Sequence, residues 1–184
     1  MKNCLWVFLF VLLYNVSGAQ VIVKKDPEIE SMIKEINADS LKANMYKLVS
    51  FGTRNTLSTQ DNATRGIGAA RRWILSRFNE YAKQSEGRLT AFIDTVTYIS
   101  DGKRVNRPIN LGNVVATLKG TDPNDHRIFI MSGHMDNMRT SVMDSVGDAP
   151  GANDDGSGTV AVMECARVMS KHKFPATIIF VTVA

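Results

Sequence analysis

The chain has 184 residues, enough for one domain or most of one. Hydrophobic residues make up 44% of the sequence and charged residues 22%, which is ordinary for a globular protein with a buried core. The formal charge is +4, but the Lys and Arg residues are scattered and form no basic stripe with interleaved aromatic residues. The composition therefore argues against nucleic-acid binding.

The first 19 residues have the pattern of a secretory signal peptide. Lys2 gives a positive start, residues 5–14 form an apolar run, and the small residues 17–19 precede the expected cleavage site. A spanning helix needs about 20 apolar residues, so an uncleaved membrane anchor is the less favoured alternative. We expect a mature chain that begins at Gln20, has no stable membrane span and is secreted or periplasmic.

The sequence has two cysteines, Cys4 and Cys165. Removal of the signal peptide would leave Cys165 alone, so this chain has no internal disulfide to form. Cys165 lies in a predicted helix, where we expect it to pack in the core.

The first part of the mature chain is predicted to be helical. Asp26 and Pro27 are typical of a helix start. The apolar residues that follow have helical spacing and predict one buried face, formed by Ile29, Met32, Ile33 and Ile36. Asp39 or Ser40 would cap a second helix that ends at Gly52. A longer amphipathic helix has its apolar face at Ile67, Ala70, Ile74, Phe78 and Tyr81.

The second half changes to strand-forming sequence. Two segments, 88–100 and 113–120, are rich in β-branched and aromatic residues, with a loop at 101–110 between them. Two further runs, "RIFIMSG" and "ATIIFVTVA", are short and nearly continuously apolar, which is typical of strands covered on both faces. A helix is predicted between these two runs, so they should form a parallel pair with a right-handed crossover.

Polar residues gather where the predicted strand "RIFIMSG" ends. His134 follows that strand, at the sheet edge where open α/β sheets bind ligands. Asp154 and Asp155 come just before the crossover helix, so both segments can reach one crevice. Imidazole and carboxylate are ligands that zinc accepts. Asp136 is close enough to receive the second ring N–H of His134, which assigns it a supporting position.

Other sites fit the same residues less well. A calcium loop with Gly156 at its sixth position would need ligands at Gly151 and Val162, which have none to offer. No "HExxH" helix occurs, and the serines that could join a catalytic triad, Ser132 and Ser157, lack a "GxSxG" elbow. From spacing alone, a solvated acidic turn beside a core histidine remains an open alternative.

The segments "SGHMDN", "APGANDDGSGTVAVMECARVM" and "TIIFVTVA" together closely resemble the di-zinc aminopeptidases of metallopeptidase family 28. The segments "LVSFGTRNT" and "GIGAARRWI" are also similar to the amino-terminal region of that family. The resemblance implies a three-layer α/β/α fold with a mixed, largely parallel sheet. Residues 20–184 would then be the amino-terminal portion of a single zinc-peptidase domain.

The resemblance also implies roles for individual residues. His134 would bind one zinc, Asp154 would bridge two zincs, and Asp136 would orient His134 as part of the catalytic machinery. Asp155 matches a position that is not usually a ligand, and the Asp154–Asp155 peptide bond would be cis. The implied reaction is the removal of amino-terminal residues from peptides by a zinc-activated water.

Some family features are missing from this sequence. In the family, an acidic pair that includes the general base follows the strand "TIIFVTVA" directly, and a further Asp and His ligand come later. Nothing follows Ala184 here, so we expect a fragment that lacks the base and the remaining ligands. Two related alternatives are a glutaminyl-peptide cyclotransferase, and a binding module that keeps the fold without catalysis.

Overall fold

The computed structural model describes residues 25–184. The predicted signal peptide lies outside the described residues. The described helices and strands, in chain order, are α1 (Pro27–Glu35), α2 (Ala38–Val49), α3 (Gly66–Ala82), β1 (Leu89–Tyr98), β2 (Ile109–Leu118), β3 (Ile128–His134), α4 (Ser157–Met169) and β4 (Thr177–Val183).

The first two helices form as predicted, with two differences. Helix α1 begins beside Asp26, whose carboxylate accepts a hydrogen bond from the backbone N–H of Glu28 at 2.8 Å. The predicted buried face of α1 is wrong, because Ile29 and Ile33 are 53% and 59% exposed. Helix α2 is capped by Asn37 rather than by Asp39 or Ser40, since the Asn37 side chain accepts from the backbone N–H of Ser40.

The strands form one mixed four-stranded sheet with the order β1-β2-β4-β3. The pairs β1–β2 and β2–β4 are antiparallel, and the pair β3–β4 is parallel. The predicted parallel pair with helix α4 in its connection is therefore confirmed. Strand β2 begins at Ile109, inside the predicted loop, because its whole length pairs with β1 from Ile109 opposite Tyr98 to Leu118 opposite Leu89.

The core lies between one face of the sheet and helices α2, α3 and α4. Alternate residues of β2 and β4 point into it, among them Val114, Ala116 and Phe180, which are fully buried. They share one apolar cluster with Phe78 of α3 and Met163 of α4. The predicted α/β class with a mixed sheet is confirmed, but among the described strands one pair of three is parallel, so the sheet is not largely parallel there.

The opposite face of the sheet is more exposed. The prediction that β3 is covered on both faces is wrong for the described residues, since Ile128, Phe129 and Ile130 are 59%, 53% and 66% exposed. Strand β3 is an edge strand of the sheet, with β4 as its neighbour.

Cys165 is partly buried and packs against the core, close to its predicted place. Burial raises the pKa of its thiol, and the charge of Glu164 adds to that effect.

Across residues 25–184, no helix has both the length and the apolar character needed to cross a bilayer.

Candidate metal centre

His134 is the last residue of β3 and is held there by its backbone. The next residue, Met135, donates its N–H to the carbonyl of Val183 in β4 at 2.7 Å. The carbonyl of His134 accepts a hydrogen bond from Oγ1 of Thr159 in α4 at 2.9 Å. The strand end and the crossover helix therefore fix the position from which the imidazole projects.

A carboxylate oxygen lies close to each ring nitrogen of His134. Oδ1 of Asp136 is 3.1 Å from Nδ1, which is the predicted contact. Oδ1 of Asp154 is 3.1 Å from Nε2. Two ligands held by one tetrahedral zinc at about 2.0–2.1 Å lie about 3.3 Å apart, so the spacing of Nε2 and Oδ1 fits a shared zinc.

The protonation of His134 responds to these neighbours. Burial alone would lower the pKa of His134, but the negative charges of Asp136, Asp155 and Asp154 outweigh it and raise that pKa above its ordinary value. The imidazolium form bonds through Nδ1 to Asp136 and forms an ion pair with Asp154 at Nε2. With Nδ1–H held by Asp136, Nε2 is the ring nitrogen left to bind a divalent cation, which would take the place of its proton.

Asp155 turns away from its neighbour Asp154 and binds backbone groups. Its Oδ2 accepts the N–H of His134 at 3.0 Å, and its Oδ1 accepts the N–H of Gly158 at 2.9 Å. The Asp154–Asp155 peptide bond is cis, as the resemblance implied. Asp154 thus faces the imidazole while Asp155 ties the end of β3 to the first turn of α4.

The candidate ligand pair, His134 and Asp154, opens into a cleft of about 690 Å³. Besides His134, Asp136 and Asp154, its lining includes two cationic side chains, Arg104 and Arg139. Arg139 is paired with Asp144 at 3.0 Å. Within the part of the chain that the structure describes, no group of three or more His, Cys, Asp or Glu side chains is arranged to hold a metal ion. One imidazole and one carboxylate oxygen are the donors that converge here.

Two buried polar residues below the cleft were missed by the sequence reasoning. Arg54 and Asn137 are 1% and 5% exposed and bond to the loops that carry the ligands. Arg54 falls inside "LVSFGTRNT", a segment whose family resemblance implies no particular role for the arginine. Asn137 follows Asp136 directly, but nothing in its spacing distinguishes a buried amide from an exposed one.

A histidine at the end of a strand and an aspartate before the crossover helix give this mixed-sheet α/β protein a candidate metal centre. The model of "Peptidase family M28" matches residues 113–184. The predicted resemblance is confirmed.

Three known proteins illustrate the similarity. A probable zinc metalloprotease of Leptosphaeria maculans is 46% identical over 86% of this chain and 36% of its own length. Leucine aminopeptidase 1 of Fusarium vanettenii is 28% identical over the same shares of the two chains, 86% and 36%. The crystal structure of Macrostomum lignano glutaminyl cyclase superimposes with a TM-score of 0.64 at 12% identity, covering 90% of this chain and 43% of that one. At that identity the cyclase shows a shared fold alone.

The chain spans about a third of the length of the curated relatives it matches, 36% for each of the two fungal proteins.

Proposed function

We propose that this chain contributes His134 and Asp154 to the metal centre of a zinc-dependent exopeptidase that removes amino-terminal residues from peptides. The observation that carries the proposal is the 3.1 Å approach of Asp154 Oδ1 to His134 Nε2, with Asp136 at the other ring nitrogen. The family match supports the peptidase class, and the 28% identical leucine aminopeptidase supports cleavage at the amino terminus.

The side chains have separable tasks in this proposal. His134 offers the Nε2 lone pair, and Asp136 keeps the proton on Nδ1 so that the ring cannot turn or change tautomer. Asp154 offers Oδ1 to the same ion. The Asp154 side chain is 89% exposed, so its second oxygen is free to reach another ion, which supports a bridging position between two zincs.

Zinc bound at this position would supply a Lewis acid and a bound water of lowered pKa. The residues described here would hold the ion and orient it, while the cleft beside them would receive the peptide. The two other carboxylates beside this pair, Asp136 and Asp155, are engaged with the His134 ring and with backbone N–H groups, so neither is free to act as a general base. We therefore propose that residues 20–184 alone bind zinc weakly and have negligible peptidase activity.

Zinc titration of the purified chain, in competition with a chromophoric chelator, tests this proposal. Weak binding should be abolished by His134→Ala and by Asp154→Ala, and it should survive in the control His126→Ala, which changes an exposed loop histidine. Tight binding of two zincs by the unmodified chain would contradict the proposed weakness. Unchanged binding in the His134 variant would contradict the site itself.

Two other functions share this fold. The glutaminyl cyclase likeness keeps a cyclotransferase as the second candidate, and a non-catalytic binding module is a third. The presence of His134, Asp136 and Asp154 together argues against the module. The gene sequence beyond codon 184 provides a direct test, because an acidic pair there supports a peptidase and non-ligand residues favour a module. Assays of the encoded protein on a leucine anilide and on an amino-terminal glutamine peptide separate peptidase from cyclase.

A further inference from the structure

Arg54 lies directly below the candidate metal centre, with its side chain almost completely buried at 1% exposure. Its guanidinium donates four hydrogen bonds, all to backbone carbonyls. Nε binds the carbonyl of Met135 at 2.6 Å, and Nη2 binds that of Gly151 at 2.9 Å. Nη1 binds the carbonyls of Leu48 at 3.1 Å and Pro150 at 3.0 Å.

These four carbonyls come from three separate parts of the chain. Met135 stands between His134 and Asp136, and Pro150 and Gly151 begin the loop that leads to Asp154. Leu48 belongs to the last turn of α2, where helix carbonyls lack partners within the helix. One rigid planar group therefore holds the two ligand-bearing segments to each other and to a helix end.

This arrangement is unusual for a buried charge. Charges inside proteins are normally paired with an opposite charge, because removal from water is unfavourable. No carboxylate bonds to Arg54 among the described residues; burial lowers its pKa to about 10, and the charge of Asp136 opposes that change. The carbonyls of Leu48 and Gly151 also accept backbone N–H groups, from Phe51 and Gly156. The planar fork of the guanidinium can reach all four carbonyls at once, whereas the single ammonium of a lysine cannot.

Asn137 completes the same connection. Its Oδ1 accepts the backbone N–H of Arg54 at 2.8 Å, and its Nδ2 donates to the carbonyl of Ala149 at 2.6 Å. Gly151 comes so close that a Cβ there would lie 2.6 Å from Cβ of Asn137. The segment after His134 and the segment before Asp154 therefore lie in close contact and are joined by the hydrogen bonds of two buried side chains, Arg54 and Asn137.

We propose that Arg54 is a positioning residue that sets the separation between His134 and Asp154 before any metal arrives. The inference rests on the proposed metal-binding function of those two residues. Loss of Arg54 would free the loop before Asp154 from the segment after β3, so that metal binding would have to order both. Outer contacts of this kind typically change metal affinity by about 10- to 100-fold.

The test compares Arg54→Met with Arg71→Met in the same purified chain that is used for the zinc titration. Arg71 is a matched control because it is also buried, at 6% exposure, and donates to a backbone carbonyl, that of Asn110, away from the ligands. Zinc affinity should fall about 10- to 100-fold in Arg54→Met and change less than about twofold in Arg71→Met. Arg54→Lys keeps the charge but cannot make all four bonds, so it should resemble Arg54→Met.

A second measurement needs no metal. Amide hydrogen exchange in residues 134–137 and 151–156 should accelerate in Arg54→Met and stay unchanged in Arg71→Met. If Arg54→Met does not fold, Asn137→Ala removes the second connection, and it should show the same two effects. Unchanged zinc affinity and exchange in these variants would overturn the inference. If His134→Ala also binds zinc as well as the unmodified chain does, the proposed function itself is wrong. The failure of the inference and the failure of the proposed function are therefore distinguishable.

Discussion

Asp155 accepts the backbone N–H of His134 at 3.0 Å, so the residue next to one expected metal ligand holds the backbone of the other. The second oxygen of the same carboxylate accepts the N–H of Gly158 at 2.9 Å. Asp155 is therefore a bridge between the end of β3 and the start of α4, where a carboxylate also interacts favourably with the helix dipole. The two consecutive aspartates have different tasks, since Asp154 alone faces the imidazole.

Replacement of Asp155 by Ala should destabilise the fold. Two backbone N–H groups would lose a charged acceptor, and hydrogen bonds to charged groups contribute about 1.5–3 kcal/mol each. We expect the free energy of unfolding in urea to fall by about 2–4 kcal/mol for Asp155→Ala, and by less for Asp155→Asn, whose amide keeps one acceptor oxygen. Asp61→Ala, at an exposed aspartate, is the control. Equal stability of the Asp155 and Asp61 variants would show that the bridge contributes nothing.

Much of this local architecture could be predicted from the sequence. The apolar spacing from Ile67 to Tyr81 predicts a helix that the structure places at Gly66–Ala82. The apolar run before His134 predicts the strand that ends there. Both predictions depend on local patterns that are visible in a single sequence, a 3.6-residue apolar period for the helix and a short apolar run for the strand. The burial expected of that strand was not predicted correctly, because its residues 128–130 are exposed.

Other features could not be predicted, because they depend on contacts between distant segments. The place of β4 between β2 and β3 follows from two pairings that no local pattern encodes. The bond from Arg54 to Met135 joins residues 81 positions apart, and side-chain to backbone bonds leave no periodic signal. The exposed apolar residues of α1 show the reverse case, where a regular pattern predicted burial that the described structure does not contain.

Glu164 should make the stability of the fold depend on pH. It is 2% exposed and accepts bonds from the N–H of Asn37 at 2.7 Å and from both Nε and Nη2 of Arg167. Burial alone would raise the pKa of Glu164, but the bonds from Arg167 and Asn37 outweigh it and lower that pKa below the ordinary 4.5. A lowered folded pKa means that the stabilisation is complete above the ordinary value and is lost as pH falls through the lowered one.

The variant Glu164→Gln should therefore lose about 1–3 kcal/mol of stability at pH 7, where the native carboxylate is charged. The loss should shrink at acidic pH, because protonation removes the same charge from the native protein. Urea unfolding at neutral and acidic pH measures both quantities. Glu86→Gln is the control, since the Glu86 side chain is 68% exposed. A Glu164→Gln deficit that stays constant down to strongly acidic pH would contradict this explanation.

Gly133 allows β3 to approach the first turn of α4. A Cβ at this position would lie 2.6 Å from the carbonyl carbon of Gly158 and 2.8 Å from its oxygen. These are backbone atoms, so they cannot move aside without displacing the helix and the neighbouring His134. We expect Gly133→Ala to lower stability by about 1–3 kcal/mol in thermal or urea unfolding.

The neighbouring substitution Ser132→Ala is the matched control for Gly133→Ala, because Ser132 is exposed on the same strand. Gly133→Ala should also weaken zinc binding through the displacement of His134, while Ser132→Ala should not. A Gly133→Ala protein as stable as the control would mean that strand and helix can separate at little cost.

The exposed edge of β3 should make the isolated chain prone to self-association. Ile128 and Ile130 are 59% and 66% exposed, and Ile130 pairs in register with Ile179 of β4 on the same face. An edge strand with apolar side chains offers unpaired backbone groups together with an apolar surface, which favours pairing with another copy. A lysine at such a position opposes that pairing through its charge.

Ile130→Lys should therefore reduce concentration-dependent light scattering and shift size-exclusion profiles toward the monomer. Its effect on stability should be small, within about 0.5 kcal/mol, because the side chain is mostly in water. Val146→Lys adds the same charge at a loop residue that is 76% exposed, and it should leave self-association nearly unchanged. An equal reduction of self-association in both variants would assign the effect to net charge. No reduction in either variant would show that the chain does not self-associate through the edge of β3.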